Sequence, residues 1–232
     1  MKKQHSRKTA EEQKKIQVQR NIRLGLILLA VLSVLLGIAR LVKPGWFARG
    51  YFELNSEAID ASKPDIDVQL LTVNANSRPG AKTDKIKGIV MHYTANPGST
   101  AMDNRNYFER LKDTGDTQAS SNFIVGLDGE IIQCVPTWEV AYASNDRNKD
   151  TVSIECCHSD ESGRFNEETY RSMVQLSAWL CMKFDLSEED VIRHYDVTGK
   201  NCPKYFVENE ESWNQFRADI KTAIENGGFE DE

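Results

Sequence analysis

The pattern of apolar and polar positions divides the chain before any single residue is weighed. Residues 24–39 contain no charged side chain, and the apolar run resumes as Leu41-Val42 after Arg40. The stretch is apolar all round rather than along one stripe, as a lipid-exposed helix must be. With Arg40 snorkelling to the headgroups the span reaches about nineteen residues, near the roughly 20 that a bilayer requires. The pattern then turns mixed, through Ser62-Lys63-Pro64-Asp65 to the alternating Ile66-Asp67-Val68-Gln69-Leu70-Leu71. That predicts a spacer with one edge strand or docking segment. Farther on, short apolar runs alternate with helical periodicities. Residues 86–93 predict a strand in a sheet interior, and Thr100 predicts the cap of a helix over residues 101–112, with Tyr107, Phe108 and Leu111 on its apolar face. Asn122-Phe123-Ile124-Val125-Gly126 and Glu130-Ile131-Ile132-Gln133-Cys134-Val135 flank Asp128-Gly129, a hairpin signature. Residues 151–157 predict another strand, 169–184 the longest helix and 213–224 a closing one. Strands interleaved with helices indicate an α/β domain with a mixed central sheet flanked by helices.

Charge sharpens the division. Residues 1–43 hold 10 basic and 2 acidic side chains and residues 44–232 hold 19 and 33, a split that the whole-chain net charge of −6 conceals. A basic head over residues 1–23 stays in the cytoplasm and sends the C-terminal part across the membrane. The small residues from Gly37 to Ala39 form no A-x-A cleavage site, and the head is long for a signal peptide. Residues 24–42 therefore predict an uncleaved, single-pass signal anchor in the cytoplasmic membrane, with an extracytoplasmic domain. After a linker at 43–75, the α/β domain occupies residues 76–226 and an acidic tail residues 227–232. About 150 residues suffice for one domain with a real core. Its acidic balance excludes nucleic acid as a partner, since that needs a basic face.

The chemistry concentrates in His194-Tyr195-Asp196-Val197-Thr198-Gly199-Lys200-Asn201-Cys202-Pro203, which puts an imidazole, an ammonium and a thiol into one short loop. Imidazole nitrogen and thiolate sulfur are both good zinc ligands. Of the other histidines (His5, His92 and His158), His92 is the best third ligand, because it ends an apolar strand that runs into a polar loop. His92, His194 and Cys202 would leave one zinc position open, the catalytic arrangement. On spacing alone, a strand-end His is as readily a packed structural side chain, and a lone Cys a small buried hydrophobe. His158 reads as a surface or rim residue. Glu155 lies in an otherwise apolar strand, so it either faces solvent on an edge strand or borders a polar cleft. Five cysteines in an exported domain leave open both a bridge from Cys134 to Cys156 or Cys157 and a fully reduced set.

The segments Ile89-Val90-Met91-His92-Tyr93-Thr94-Ala95 and Arg193-His194-Tyr195-Asp196-Val197-Thr198-Gly199-Lys200-Asn201-Cys202-Pro203 resemble the N-acetylmuramoyl-L-alanine amidases of the type-2 amidase family, which also includes phage lysozyme-like amidases and peptidoglycan recognition proteins. The resemblance runs from about Asn76 to Ile224 and takes in Arg78-Pro79-Gly80. It implies a zinc enzyme that cleaves the amide between N-acetylmuramic acid and L-alanine in bacterial peptidoglycan. It further implies metal ligands His92, His194 and Cys202, Glu155 as general base toward water activated at the metal, and Lys200 as stabiliser of the oxyanion. Substrate contacts are expected from Tyr93, Thr94, Asn122, Tyr142 and Asn145. Two departures stand out. Some relatives place a Tyr where this chain has Ser121-Asn122, and many carry a Trp-His pair where it reads Val140-Ala141-Tyr142-Ala143-Ser144-Asn145. Two competing readings follow from other classes of protein. One is a recognition module that holds muropeptide without cutting it, a role whose members usually lose the Cys ligand. The other makes Cys202 a nucleophile paired with His194, which Pro203 directly after the Cys disfavours.

Overall fold

The computed structural model describes residues 59–228, and in addition Gln17, Gln19, Asn21, Ile22, Arg23, Gly25 and Leu26, which are helical. Apart from those seven positions, the basic head, the expected membrane span at 24–42, residues 43–58 and residues 229–232 lie outside the described residues. Among the described residues no helix is long and apolar enough to cross a membrane. The chain divides into two units, residues 1–50 and 51–232.

The second unit is built on six strands: β1 (Asp67–Val68), β2 (Gly88–Tyr93), β3 (Phe123–Val125), β4 (Ile131–Gln133), β5 (Thr151–Cys156) and β6 (Val191–Arg193). Their order across the sheet is β1-β4-β3-β5-β2-β6. Neighbours are parallel except in the β3–β4 hairpin, so the sheet is mixed, as the interleaved pattern predicts. The helices are α1 (Ala101–Thr114), α2 (Glu167–Phe184), α3 (His194–Thr198), α4 (Lys204–Glu208) and α5 (Glu210–Asn226).

Local chemistry sets the helix ends. Thr100 Oγ1 accepts from the Asp103 N–H at 3.1 Å while the Asp103 carboxylate accepts from the Thr100 N–H at 3.0 Å, a reciprocal cap on α1. Gly115, at φ 65°, closes α1 with an N–H to the Leu111 carbonyl. Helix α2 begins at Glu167, two residues before the start expected at 169, because the Asn166 side chain accepts from the Thr169 N–H at 2.8 Å. The first turn of α5 is polar and carries no periodicity, which is why the pattern placed its start at 213.

The two faces of the sheet are covered unequally, and the site follows from that. Ile89 and Met91 of β2, Phe123 and Val125 of β3, and Val152 and Ile154 of β5 point to one face and pack with Met173, Leu176, Leu180, Phe216 and Ile220 of α2 and α5. On the other face Ile124 and Ile132 pack under Ala101, Phe108 and Leu111 of α1, so α1 shields the β3–β4 side. Strand alternation sends His92, Ser153 and Glu155 to this second face. Parallel register sets His92 and Glu155 side by side on β2 and β5.

Residues 59–75, expected as spacer, belong to the packed unit. Ile59 and Ala61 enter the first core and Leu71 the second. The Ala61 N–H donates to the Gly227 carbonyl at 2.7 Å, and Asn226 Nδ2 to the Ile59 carbonyl at 2.7 Å. Packing therefore begins ahead of the boundary read at 76. All five cysteines are buried and unbridged, so of the two states left open by the sequence the structure shows the reduced set.

Asn122, expected as a substrate contact, is 1% exposed and ties strands together instead. Its Nδ2 donates to the Pro136 carbonyl at 3.1 Å, and its Oδ1 accepts from the Ser153 N–H at 3.0 Å and the Ser153 hydroxyl at 3.1 Å. Replacing it by alanine leaves several buried groups unpaired, each costing about 1–3 kcal/mol. Asn122→Ala is expected to lose about 2–4 kcal/mol of stability in urea denaturation of the purified protein; a loss under about 1 kcal/mol would show that the contacts are dispensable.

Candidate metal centre

Three polypeptide segments deliver the ligands. His92 is the fifth residue of β2, its imidazole held on the uncovered face. His194 opens α3 directly after β6, the strand that flanks β2 on its other side. Cys202 lies beyond the αL turn at Gly199, where the loop folds back and the Tyr195 N–H donates to the Cys202 carbonyl at 2.9 Å. Arg193 fixes this turn. Its guanidinium bonds Asp196 at 2.9 and 3.1 Å, Glu210 at 2.6 Å and the Phe206 carbonyl at 3.1 Å. It also lies 5.4 Å from the Tyr195 ring and 5.3 Å from the Trp213 ring. The turn carrying His194 is thereby anchored to α4 and α5.

The donor atoms of His92, His194 and Cys202 lie within 4.8 Å of one another, and all three residues are buried. His92 Nδ1 is 3.8 Å from Cys202 Sγ. In a tetrahedral zinc centre with ordinary bond lengths, a nitrogen and a sulfur ligand stand about 3.6 Å apart. The imidazole faces agree with this. His92 Nε2 meets Ser144 Oγ at 3.2 Å and His194 Nε2 meets Asn145 Oδ1 at 3.0 Å, while the buried His194 Nδ1 has no partner among the described residues. An oxygen acceptor on Nε2 of His194 puts its proton there and leaves Nδ1 with a free lone pair. The donor set and the orphaned nitrogen both fit zinc.

Comparison with known proteins agrees with this geometry. The sequence profile of the N-acetylmuramoyl-L-alanine amidase family matches residues 82–205, over half of the chain, and the match includes all three candidate ligands. The chain belongs to that family. A probable N-acetylmuramoyl-L-alanine amidase of Bacillus licheniformis is 36% identical over 164 residues, covering 66% of this chain and 46% of the relative. The amidase CwlL of Bacillus licheniformis is 34% identical over 166 residues, with the same shares. This chain thus spans about half the length of the curated relatives it matches. Among solved structures, the catalytic domain of XlyA superposes with a TM-score of 0.57 at 27% identity, covering 68% of this chain and 99% of that one. PlyL shares the fold, with a TM-score of 0.60 at 24% identity over 69% of this chain and 99% of that one.

In this family member the candidate ligands open onto a cleft of about 330 Å³, whose lining includes Tyr93, Tyr142, Asn145, Glu155 and Lys200. Glu155 is half-buried, and its Oε2 is enclosed with no partner among the described residues. Burial raises its carboxyl to about 8, against the opposing pull of the Lys200 ammonium. Burial holds His92 and His194 below the ordinary imidazole range, and Lys200 adds to the effect on both. Burial likewise lifts the Cys202 thiol to about 12, although Lys200 and a hydrogen bond from the Tyr93 backbone pull the other way. A cysteine nucleophile needs a lowered pKa, so the reading of Cys202 as a nucleophile finds no support in its surroundings.

Tyr93 and Tyr142 line the cleft as expected, but two other expected contacts are placed differently. Thr94 lines a separate cavity of about 610 Å³ with Asn96, Asn104 and Arg110. Asn122 lies in the interior of the domain. Asn145 lines the cleft while bonding His194. His158, expected at the surface, is 1% exposed. Its Nδ1 donates to the Asp160 carbonyl at 2.8 Å, and its ring lies 5.1 Å from that of Tyr93. Ser144 and Arg193 carry functional weight that spacing did not single out. A serine in a polar loop and an arginine ending a strand have no periodic signature.

The raised carboxyl of Glu155 fixes the sign of one measurement. Folded, metal-free protein holds a proton on Glu155 that the unfolded chain releases above pH 4.5, so this group makes stability fall as pH rises from about 4.5 to 8. His92 and His194 act oppositely, since their folded values are lowered. Their contribution grows with pH and is complete above about 6.5. Urea denaturation of chelator-treated protein between pH 6.5 and 8 is expected to show stability falling in the parent and a shallower fall in Glu155→Gln. Equal slopes in the two proteins would remove Glu155 as the cause.

Proposed function

We propose that this protein is a zinc-dependent peptidoglycan hydrolase that cleaves the amide between N-acetylmuramic acid and the L-alanine of the stem peptide. The observation that carries the reading is the convergence of His92, His194 and Cys202 on the floor of a cleft that also holds Glu155 and Lys200. Membership of the amidase family and the name shared by its relatives supply the bond to be cut. His92, His194 and Cys202 would hold the ion, and zinc, when bound, polarises an amide carbonyl and makes water acidic enough to lose a proton near neutral pH.

The chain's own residues do the remaining work. Glu155 stands beside His92 on the neighbouring strand, its carboxylate turned into the cleft. It accepts the proton of the attacking water and returns it to the departing alanine amine. Burial raises the affinity of this carboxyl for a proton, and a cation held by the three ligands would draw it back toward the ionised form that a base requires. Lys200 stands exposed at the same cleft, close enough to perturb Glu155, His92, His194 and Cys202. Its ammonium offsets the negative charge that develops on the carbonyl oxygen. Tyr93 and Tyr142 offer aromatic walls to the glycan or peptide.

Location belongs to the same proposal. The apolar stretch at 24–42, charged only at Arg40, behind a basic head anchors the enzyme in the cytoplasmic membrane, with the amidase domain facing the wall. Fractionated cells are expected to hold the full-length chain in the membrane pellet. A shortened, soluble form in the medium would argue for a cleaved leader.

The catalytic reading is tested with purified wall and purified domain. One zinc per chain is expected, together with release of stem peptides that chelator abolishes. His194→Ala should lose both metal and activity. Lys200→Ala should retain the metal and lose about 10²- to 10³-fold in kcat. Peptidoglycan binding by the metal-loaded parent without any peptide release would instead identify a recognition module.

A further inference from the structure

Asn145 is an exposed residue on the loop between β4 and β5, yet one of its atoms reaches a buried metal-ligand candidate. Its Oδ1 lies 3.0 Å from His194 Nε2, and the residue also lines the cleft. For His194 Nδ1 to meet a metal, Nε2 must carry the ring proton, so the Asn145 atom facing it must be the acceptor oxygen. The amide orientation is then fixed, and Nδ2 is directed away from the imidazole. Among the described residues Nδ2 makes no hydrogen bond, which leaves two N–H donors beside the reacting centre.

The backbone around Asn145 is built to hold this pose. Asn145 has φ 52°, the left-handed region in which Asn and Asp are the least strained side chains after Gly. Asn148 Oδ1 accepts from the Ala143 N–H at 3.1 Å and the Ser144 N–H at 2.6 Å, and the Asn148 N–H donates to the Asn145 carbonyl at 3.1 Å. Thr151 Oγ1 donates to the Arg147 carbonyl at 2.6 Å, tying the loop to the start of β5. On the preceding residue, Ser144 Oγ meets His92 Nε2. Consecutive side chains therefore address the outer nitrogens of both imidazoles, while only Asn145 keeps spare donors.

We propose that Asn145 has two functions: its carbonyl oxygen positions His194 for the metal, and its amide NH2 donates a hydrogen bond to an amide carbonyl of the bound wall substrate. The second function rests on the amidase reading; the first does not. Substrate and metal ligand are thereby held by opposite ends of one planar amide. Ser144 serves as the internal contrast, because its hydroxyl bonds the other imidazole and is 1% exposed as a residue, out of reach of substrate.

The two ends separate by substitution. Asn145→Asp keeps an acceptor oxygen and tolerates the left-handed backbone, but loses the donors. Asn145→Ala loses both, and Ser144→Ala loses only the contact to His92. Zinc affinity is measured by chelator competition on the purified proteins, and kinetics on a soluble muramoyl-peptide at saturating zinc. Asn145→Ala and Ser144→Ala are each expected to bind zinc about 10- to 100-fold more weakly. Asn145→Asp should stay within about threefold of the parent for zinc while its KM rises about 5- to 10-fold. Ser144→Ala should keep the parental KM. Because a new carboxylate could also repel an anionic substrate, KM is compared at about 0.05 and 0.5 M salt, where a repulsion would be largely screened. A rise in KM that persists at high salt supports the lost donor; one that vanishes there overturns it. Zinc loss in Asn145→Asp as large as in Asn145→Ala overturns the positioning role. A parent that binds zinc but releases no peptide sinks the amidase reading and with it the donor role, while the affinity comparison still decides the positioning role.

Discussion

Two imidazole nitrogens and a sulfur, all electron-pair donors, are packed within 4.8 Å of one another in the interior. Without a cation the Cys202 thiol has its proton to offer His92 Nδ1 at 3.8 Å, but His194 Nδ1 is left buried with no partner among the described residues. Burying such groups costs free energy that a hydrogen-bond donor or a metal would offset. The surrounding protein does not relieve the mismatch. It reinforces it, by committing the outer nitrogen of each ring to an oxygen on the loop between β4 and β5. The unpaired His194 nitrogen is a cost to the protein alone that a bound metal ion would offset.

The sheet makes the convergence affordable in a small domain. One face is sealed by α2 and α5, so the apolar core is complete without the site. The other is sealed by α1 only over β3 and β4. The polar members of β2 and β5 therefore fall where no helix covers them, at the carboxyl ends of parallel strands, the usual place for a ligand in an open α/β sheet. Glu155 sits beside His92 because the strands run parallel in register. The same enclosure that gives the carboxyl its raised affinity for a proton keeps it within reach of the cleft.

The two cores also explain why a short loop can be trusted with a ligand. Residues 199–203 make few contacts of their own, but Arg193 binds the adjoining turn to Asp196 and Glu210 and lies between two aromatic rings. The loop's return is closed by a backbone hydrogen bond between Tyr195 and Cys202. Precision at the site is thus borrowed from α5, an element that begins seven residues beyond the loop.

What the sequence determined was local. The apolar runs at 86–93 and 151–157, the Thr100 cap, the Asp128-Gly129 turn and the periodicity of α2 each depend on neighbours within a few positions. Those elements formed where the pattern placed them, to within a turn. The ligand set was legible only through the resemblance of the segments around His92 and His194–Cys202 to the amidase family, since spacing alone left it open. The tertiary structure alone decided which polar residues reach the cleft. Asn122 reads as a polar residue at the mouth of a strand, yet its neighbours across the sheet draw it inside. Asn145, expected as a substrate contact, does line the cleft, and the fold alone sets it and Ser144 against the imidazoles of His194 and His92. The alternation at 66–71 marked an edge strand, which β1 is, but the rest of residues 59–75 read as spacer, and only the cores that Ile59, Ala61 and Leu71 enter give those side chains a place. Periodicity encodes which way a side chain points from its own element. What it meets there depends on elements tens of residues away, and no local pattern carries that information.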